Sequence, residues 1–290
     1  MSGSEAFVAP RIGGGIGNRL FEFAAAAGAA EVWGRRPCFA TEYVEPNTHA
    51  SPTTIFKLFP EVPVVDIPAE EMDSVEYGNE EVYTFRPFPE RPPSDRTIVM
   101  KGFFQSPLYF PKGGVWPNWA HAINVTRLAA IECESGLTSD AERRRTWFIH
   151  FRFGDYKENM FHYWPLDRYY KKCLMSVPSG ARLHVFSDEP ELCRDWLLDT
   201  LKEIGANVEV TWSKTVVDVE GLYEMSLCWG GAICANSTYS WWGAYFAHMR
   251  GGNTHRACYP DGWGLGVPPP TDLVPSWGEK VATDWAPSEV

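Results

Sequence analysis

From Thr146 onward, short apolar runs alternate with amphipathic stretches along the chain. Short apolar runs between polar or turn residues are typical of buried strands, whereas apolar residues at helical spacing predict helices. Their alternation predicts a parallel sheet wrapped by helices. The predicted strands are Trp147–Phe151, Arg182–Phe186, Val208–Trp212, Ala232–Ala235 and Arg256–Tyr259. The predicted helices are Leu166–Met175, Pro190–Glu203, Val219–Cys228 and Ser237–Met249.

The first half of the chain opens with the same pattern and then loses it. A strand-like run, Phe7–Ile12, precedes a glycine turn and an Ala-rich helix to Trp33, with Gly34 where a helix C-terminus favours glycine. Glu45–Pro93 is rich in proline and acidic residues, which predicts an irregular, loop-laden region. The other elements predicted here are a short helix near Thr54–Phe59 and a strand at Thr97–Lys101.

The elements together predict the α/β class, with two Rossmann-like domains. We expect the boundary within Ser135–Arg145, because this stretch is polar and charged like a linker. The predicted domains are residues 1–140 and 146–267, and a Pro-rich tail, residues 268–290, is expected to pack back over the body.

Composition narrows the range of partners. The 290 residues are 44% apolar and 22% charged, as in an ordinary globular protein. The 26 Lys and Arg against 37 Asp and Glu give a net charge of −11. Binding to nucleic acid or an anionic membrane surface depends on Lys and Arg displacing counterions, so neither is expected as a partner. A small anion would need a local cluster of positive charge.

The chain shows no segment expected to enter a membrane. Its longest weakly polar stretches, Phe21–Trp33 and Ser226–Ala235, are shorter than the roughly 20 apolar residues of a membrane helix. Met1–Pro10 has no basic region followed by an apolar one, as a secretory signal would. We therefore expect a cytoplasmic protein, the alternative being a Golgi lumenal domain trimmed of its anchor.

The cysteines favour neither a disulfide framework nor a zinc site. They are odd in number, scattered, and include no CxxC pair. We expect free, buried thiols. The seven are Cys38, Cys133, Cys173, Cys193, Cys228, Cys234 and Cys258.

The first candidate motif is the glycine turn between the first strand and the first helix, Gly13–Arg19. Glycines there let backbone N–H groups approach a ligand, and the helix N-terminus favours an anion. The turn is neither a dinucleotide fingerprint, because Asn18 stands where glycine is needed, nor a P-loop, because the Gly-Lys-Ser/Thr is missing. A purely structural tight turn is an equally good interpretation.

The second motif, His150–Tyr156, lies at the end of a predicted strand. Ligands of open α/β sheets bind at the carboxyl ends of the strands. The guanidinium of Arg152 can hold a phosphate through two hydrogen bonds, and with His150 it forms the local positive cluster that an anion would need. The structural alternative is an ion pair between Arg152 and Asp155 or another carboxylate.

Two further motifs follow predicted strands. Asn236–Trp242 begins a helix, with Ser237 or Thr238 as the N-cap, and the exposed N–H groups there suit a phosphate as well as a cap. Phe186–Glu189 offers carboxylates that can accept the N–H groups of a guanine or cap the next helix. There is no Asp-x-Asp pair, so a metal held by paired carboxylates is not indicated.

Together the motifs resemble the α-1,2-fucosyltransferases of glycosyltransferase family 11. Two positions depart from that family's pattern: Phe153 stands where a second arginine is usual, and Arg19 where glutamine is usual. We expect Arg19 to supply a charge near the first. The similar segments are Gly14–Phe21, Lys101–Ser106, His150–Tyr156, Leu166–Lys172, Val185–Asp188 and Asn236–Trp242.

The resemblance implies a GT-B type fold, with two Rossmann-like domains facing a cleft. It implies inverting transfer of L-fucose from GDP-fucose to a hydroxyl, the 2-OH, of a glycan acceptor, without a metal or other cofactor. The first domain would lie on the acceptor side, and the second would bind the GDP-sugar.

The resemblance also implies roles for individual residues. Arg152 would neutralise the charge that develops on the departing diphosphate, helped by His150. The general base must be a carboxylate or histidine near the acceptor hydroxyl, and Asp155, Glu22 and Glu158 are candidates. Asp188 would bind the guanine, and Asn18 and Gln105 would orient fucose or acceptor. The other donor-binding candidates are Gly14, Gly15, Gly17, Arg19, Asn236, Ser237, Thr238 and Ser240.

Two alternatives remain. The 13 Trp, 12 Tyr and 17 Phe could include aromatic faces that stack on sugar rings, as in a carbohydrate-binding protein without catalysis. Most large apolar residues lie in cores, however. The other alternative is a related transferase that uses a different nucleotide sugar.

Overall fold

The computed structural model describes residues 6–46, 51, 53–76, 83–157, 165–216, 218–264 and 268–284. The chain divides into two compact units. The first comprises Met1–Asn124 with Thr271–Pro275, and the second comprises Val125–Pro270 with Ser276–Val290.

The first unit is built on a four-stranded parallel sheet of order β2-β1-β6-β5, with a separate parallel pair, β3-β4. Its strands are β1 Phe7–Pro10, β2 Arg36–Pro37, β3 Phe39–Ala40, β4 Val64–Val65, β5 Met72–Glu76 and β6 Thr97–Lys101. Its helices are α1 Ile16–Trp33, α2 Thr54–Leu58 and α3 Trp119–Ala122.

Helix α1 buries an alanine face against the sheet and ends as predicted. Ala25, Ala26 and Ala29 are fully buried in a cluster with strand residues such as Val8. At Gly34 the backbone turns left-handed, with φ 63°, and its N–H bonds the carbonyls of the last helical turn. Small side chains let α1 lie close to its neighbours.

At one position α1 touches its neighbour backbone to backbone. A Cβ added to Gly28 would lie 1.9 Å from the carbonyl oxygen of Tyr109, in the short 3₁₀ turn Pro107–Tyr109. A side chain at position 28 would therefore push α1 and this turn apart.

The second unit contains a six-stranded parallel sheet of order β12-β11-β10-β7-β8-β9. Its strands are β7 Thr146–Phe151, β8 Arg182–Ser187, β9 Glu209–Trp212, β10 Gly231–Ile233, β11 Arg256–Pro260 and β12 Gly278–Val281. Its helices are α4 Val125–Ser135, α5 Asp140–Arg145, α6 Asp167–Met175, α7 Pro190–Glu203, α8 Asp218–Met225 and α9 Thr238–Gly251.

Counted within this unit, the strand order is 3-2-1-4-5-6, the order of the doubly wound dinucleotide-binding fold. The direction of winding reverses between β7 and β10, and ligands of such sheets bind where the carboxyl ends of these strands meet. The predicted α/β class with parallel sheets is confirmed. That the two units face a cleft stays a prediction.

The division of the chain differs from the predicted boundary within Ser135–Arg145. That stretch holds the end of α4 and all of α5, and its charges are tied to the second unit. Arg143 pairs with Glu132 at 3.0 Å and Arg145 with Glu209 at 2.8 Å. The polar sequence is thus the surface of two helices rather than a linker.

The predicted tail supplies structure that its sequence did not indicate. Thr271–Pro275 belongs to the first unit, where the Asp272 carboxylate accepts the N–H of Phe85 at 2.8 Å. The chain then returns to the second unit and adds β12 alongside β11. The proline content suggested a simple wrap, but the tail carries an edge strand.

The cysteines are all free, and six are buried while Cys133 is exposed. Burial raises the pKa of the Cys38 thiol to about 12 and that of Cys193 to about 11, so both stay protonated at neutral pH. Among the described helices, none has both the length and the apolar character needed to cross a bilayer.

Candidate functional site

The candidate site of the second unit lies where β7, β8 and β10 end. In the sheet register His150 pairs with Phe186 and Phe151 with Ser187, while β10 pairs with the first half of β7. The segments that follow these strands, which begin with Arg152, Asp188 and Asn236, therefore leave the same edge of the sheet. The structure thus brings together three motifs that are spread over more than eighty residues of the sequence.

Arg152 is held by two carboxylates. Its Nη1 donates to Asp188 Oδ2 at 2.5 Å, and its Nη2 donates to Asp155. Its guanidinium carbon also lies 5.4 Å from the ring centroid of Tyr156. Two of the five guanidinium N–H donors make these bonds, and the others can serve a ligand.

Asp188 positions the loop after β7. Its Oδ1 accepts the backbone N–H of Phe153 at 2.9 Å while its Oδ2 accepts from Arg152. Gly154 leaves room for this pair, because a Cβ there would lie 2.7 Å from Asp188 Oδ2. With both oxygens engaged, Asp188 orients Arg152, and its predicted role in binding guanine gains no support from this geometry.

The predicted local positive cluster is not what the structure contains. One guanidinium faces two carboxylates, so the pairing that the sequence analysis gave as the structural alternative is present, with Asp188 added. His150 adds no charge. An anion that binds Arg152 therefore competes with the two carboxylates for its N–H groups. Asp155 is the more accessible of the two, because 47% of its side chain is exposed against 25% for Asp188.

His150 is a buried, neutral imidazole. Burial, and secondarily the charge of Arg152, lower its pKa to about 3. Its Nδ1 is buried without a hydrogen-bond partner in the described part of the chain, and its ring lies 5.5 Å from that of Tyr239. A neutral histidine at this edge can donate or accept one hydrogen bond to a ligand, but it does not supply positive charge.

Helix α9 presents its N-terminus at the same edge. Ser237 is the N-cap, with its Oγ accepting the N–H of Tyr239 at 3.3 Å, and Thr238 is the first helical residue. Asn236 donates to the carbonyl of Trp263. Ser240 is fully buried, and its hydroxyl donates hydrogen bonds to the carbonyls of Ala235 and Ser237. Its predicted contact with the GDP-sugar is therefore not supported. The first turn contains no acidic residue to compete with an anion.

Two tyrosines complete this site and were missed in the sequence. Tyr156 donates to the carbonyl of Asn236 at 3.3 Å, which ties the loop after β7 to the start of α9. Tyr239 packs against His150 and donates to the carbonyl of Asp218 at 2.9 Å. Both lie inside motifs that the sequence analysis singled out, but only the fold shows which residues they contact.

The glycine turn of the first unit has a separate geometry. Gly14 has φ 64°, the left-handed region that favours glycine, and a Cβ at Gly15 would meet no atom of the described residues within 4 Å. Gly15 caps α1 without a side-chain hydrogen bond, and Gly17 is buried in the first turn. The turn thus has open space beside the helix N-terminus.

Arg19 does not provide a free charge at this turn. It is fully buried, and its guanidinium donates to the carbonyls of Gly14 and Ser51, both at 2.9 Å, and of Glu45 at 3.4 Å. These hydrogen bonds hold the segment that contains Glu45 and Ser51 against the start of α1. The prediction that Arg19 binds the donor is therefore replaced by a structural role.

Glu22 is likewise turned inward. Its carboxylate accepts the N–H of Gly13 at 2.8 Å, and burial raises its pKa well above the usual range. Gln105 is also buried, and its Nε2 donates to Asn18 Oδ1 at 3.1 Å. Asn18, Glu22 and Gln105 therefore surround one turn, and their roles in orienting a sugar or in base catalysis stay predictions. Glu158, the third candidate base, lies outside the described residues.

Within the described residues, no group of three or more His, Cys, Asp or Glu side chains is placed to hold a metal ion.

Comparison with known proteins gives distant likenesses only. No protein-family model matches the chain, and no curated protein matches it. A NodZ α-1,6-fucosyltransferase co-crystallised with GDP is similar, with TM-score 0.46, 12% identity, and coverage of 83% of this chain and 92% of that one. NodZ from Bradyrhizobium, with selenomethionine, gives TM-score 0.46 and 12% identity over 83% and 91% of the two chains. POFUT1 in complex with GDP gives TM-score 0.43 and 13% identity over 84% and 94%. At identities and TM-scores this low, the likenesses do not identify the function of this chain.

Proposed function

We propose that this protein is a glycosyltransferase that transfers L-fucose from GDP-fucose to the 2-OH of a sugar acceptor, with inversion and without a metal. The observation that carries the proposal is the position of Arg152 at the switch point of a 3-2-1-4-5-6 sheet. Arg152 lies there beside the N-terminus of α9, whose first turn contains no acidic residue. The motif resemblance supplies the identity of the donor and the regiochemistry.

The reaction requires fixed groups that stabilise the negative charge developing on the leaving diphosphate. As the acceptor oxygen attacks the anomeric carbon, the bond to the diphosphate breaks and its electron pair leaves with the diphosphate. Without a metal, fixed donors must neutralise that charge. Arg152 would bind the diphosphate with the N–H groups that Asp188 does not use, and the N–H groups at Ser237 and Thr238 would bind a second oxygen. His150 would donate one neutral hydrogen bond.

The carboxylate that the diphosphate displaces has a natural second use. Asp155, released from Arg152 by the incoming anion, would be free to take the proton of the acceptor hydroxyl. Asp188 would remain on Arg152 and on the N–H of Phe153. The two carboxylates thereby have different roles: Asp155 would leave Arg152 when the diphosphate binds, and Asp188 would hold Arg152 in place.

A carbohydrate-binding protein without catalysis is the second candidate. It is favoured by the two carboxylates on Arg152, because a guanidinium that is already paired binds an anion less well. Calorimetric titration separates the candidates: the enzyme binds GDP, whereas the sugar-binding protein binds glycans alone.

The proposed activity is tested by a screen of nucleotide-sugar donors against glycan acceptors, with the product linkage determined by NMR. We expect GDP-fucose to be consumed, a 2-linked fucoside to form, and EDTA to change the rate little. Turnover of another donor only, or a loss on chelation that Mg²⁺ or Mn²⁺ reverses, would contradict the proposal.

Replacement of Asp155 with asparagine is expected to tighten GDP binding about tenfold while lowering turnover. The amide removes the negative charge that competes with the diphosphate for Arg152, and it also removes the proposed base. GDP affinity is measured by calorimetry and turnover by release of GDP. Asp188→Asn is the matched control and should weaken GDP binding instead, since it loosens Arg152. Equal effects of the two variants would show that the carboxylates do not differ in role.

A further inference from the structure

A buried carboxylate joins four segments of the second unit. Glu224, on α8, is 3% exposed, and its Oε1 accepts a hydrogen bond from Nε2 of His184, on β8, at 2.9 Å. Its Oε2 accepts from the hydroxyls of Ser213 and Thr215, which follow β9, at 2.5 and 3.0 Å. Nδ1 of His184 is hydrogen-bonded in turn to Thr211 Oγ1, on β9, at 2.7 Å.

The hydrogen bonds keep this carboxylate ionised. Burial alone would raise the pKa of Glu224, but the hydrogen bonds from His184, Ser213 and Thr215 outweigh burial and lower that pKa. An ionised carboxylate only accepts hydrogen bonds, so three donors from β8 and the segment after β9 are directed at one group. Removal of a partner from a buried charge leaves polar groups unsatisfied, which is costly. Glu224 therefore fixes α8 on the sheet.

Helix α8 contacts the candidate site through one glycine. A Cβ added to Gly221 would lie 2.2 Å from Tyr239 Oη and 3.4 Å from Thr215 Oγ1, so α8 and Tyr239 meet with no space between them. The Tyr239 hydroxyl also donates to the carbonyl of Asp218, at the start of α8, at 2.9 Å. Because interiors are close-packed, these two contacts make the position of the Tyr239 side chain depend on that of α8.

Tyr239 in turn contacts the imidazole of the candidate site. It lies in the first turn of α9, and its ring centroid is 5.5 Å from that of His150. No partner in the described part of the chain bonds His150 Nδ1, so packing against Tyr239 helps to hold the ring. A shift of Tyr239 would therefore move both the His150 ring and the start of α9, and small displacements of such groups are costly for binding and rate.

We propose that Glu224 is a positioning residue of the candidate site: it fixes α8, and α8 sets the position of Tyr239 and His150. The inference rests on the proposed function only in using GDP as the ligand. It also accounts for Gly221, since glycine is disfavoured inside a helix unless a close approach requires it.

The first test replaces Glu224 with glutamine in the full chain. The amide keeps the size of the side chain but turns one acceptor into a donor, so at least one imidazole or hydroxyl donor loses its acceptor. We expect GDP affinity, measured by calorimetry, to fall about tenfold. The ring ¹H–¹⁵N signals of His150, assigned by their absence in His150→Phe, should shift from their positions in the unaltered chain.

Thr146→Val is the matched control for stability. Thr146 is fully buried at the start of β7, at the amino-terminal edge of the same sheet, and its hydroxyl donates to the carbonyl of Glu142 at 2.7 Å. Its replacement should lower the free energy of unfolding in urea but leave GDP affinity and the His150 signals unchanged. The control thereby separates a general loss of stability from a displacement of the site.

A second pair of variants tests the contact between α8 and Tyr239 without altering Glu224. Gly221→Ala directs a methyl group at the Tyr239 hydroxyl, and we expect it to weaken GDP binding about tenfold. Adding Tyr239→Phe removes that hydroxyl, and the next ring atom, Cζ, lies 3.5 Å from the added methyl group, an ordinary contact. The double variant should therefore recover most of the lost affinity.

Three results would overturn the inference: GDP affinity in folded Glu224→Gln within about twofold of the unaltered chain, an equal loss of affinity in Thr146→Val, or no recovery when Tyr239→Phe is added to Gly221→Ala. If Glu224→Gln does not fold, the Gly221 variants decide. If the unaltered chain does not bind GDP, the proposed function fails and the His150 signals decide the inference. They should shift in Glu224→Gln and not in Thr146→Val, and the reverse overturns it.

Discussion

Replacement of Arg152 with alanine is expected to lower GDP-fucose consumption by at least about a hundredfold and to abolish measurable GDP binding. Removal of one fixed donor to a developing charge commonly costs two to three orders of magnitude in rate, and a charged donor to a diphosphate is at the upper end. Arg152→Lys should recover part of the binding, because an ammonium keeps the charge but cannot contact two oxygens in one plane.

The control for this variant is Arg194→Ala. Arg194 lies on α7, with its guanidinium 4.3 Å from the ring centroid of Trp212. Arg194→Ala therefore removes the same type of side chain from the same unit, but at an exposed position. Far-UV circular dichroism and urea unfolding establish that both variants fold. Retained turnover in a folded Arg152→Ala protein would eliminate the proposed mechanism.

The second large effect is a loss of stability in mild acid. Burial is the main cause that lowers the pKa of both His150 and His255 to about 3, with the charges of Arg152 and His248 as secondary causes. In the unfolded chain both titrate near 6.5, so below that pH the unfolded state binds more protons and stability falls. Each histidine is expected to cost about 1.4 kcal/mol per pH unit, or about 2 kcal/mol at pH 5.

The measurement is urea unfolding between pH 7.5 and pH 5 for the unaltered chain and for His255→Phe. The variant should lose a substantial part of the pH-dependent unfolding free energy, because His255 no longer titrates, while His150 and His248, whose pKa burial also lowers, still do. The lowered pKa of Glu224 acts in the same direction but only below about pH 4.5, and the raised pKa of Glu22 acts in the opposite direction in the first unit.

Tyr259→Phe is the matched control for the histidine variant. Tyr259 lies in the same cluster, with its ring 6.3 Å from that of Trp277, which also stacks on His248. Loss of its hydroxyl removes a buried polar atom but no group that titrates in acid, so the pH dependence should not change. Identical pH dependence in His255→Phe and the unaltered chain would contradict the assigned pKa of His255.

Most of the fold was predictable because it depends on local patterns. Helix α7, Pro190–Glu203, and strand β6, Thr97–Lys101, have the predicted bounds, since a proline at a helix start and a run of apolar residues are local signals. Strand β12, Gly278–Val281, was missed. Its alternation is short and half exposed, and only its neighbour β11 makes it a strand.

The position of the candidate site, but not its charge environment, could be predicted from the sequence. Arg152 and Asp155 follow a buried strand and His150 lies within it, so the sequence alone places the three at one strand end, while their roles stay predictions. That Asp188 closes on Arg152 depends on the pairing of β7 with β8, which no spacing in the sequence encodes. Arg19 was predicted to contact a ligand for a similar reason: two of the three carbonyls that accept its hydrogen bonds, those of Glu45 and Ser51, lie in a loop that only the fold brings to the glycine turn.

The path of residues 271–281 has a consequence for biosynthesis. After Pro270 the chain leaves the second unit, contributes Thr271–Pro275 to the first, and returns to add β12 to the sheet. Neither unit can be completed on the ribosome until this segment emerges, and until then β11 carries an open strand edge that other chains can pair with. Both units therefore stay incomplete, with an open strand edge, until the same few residues have been translated.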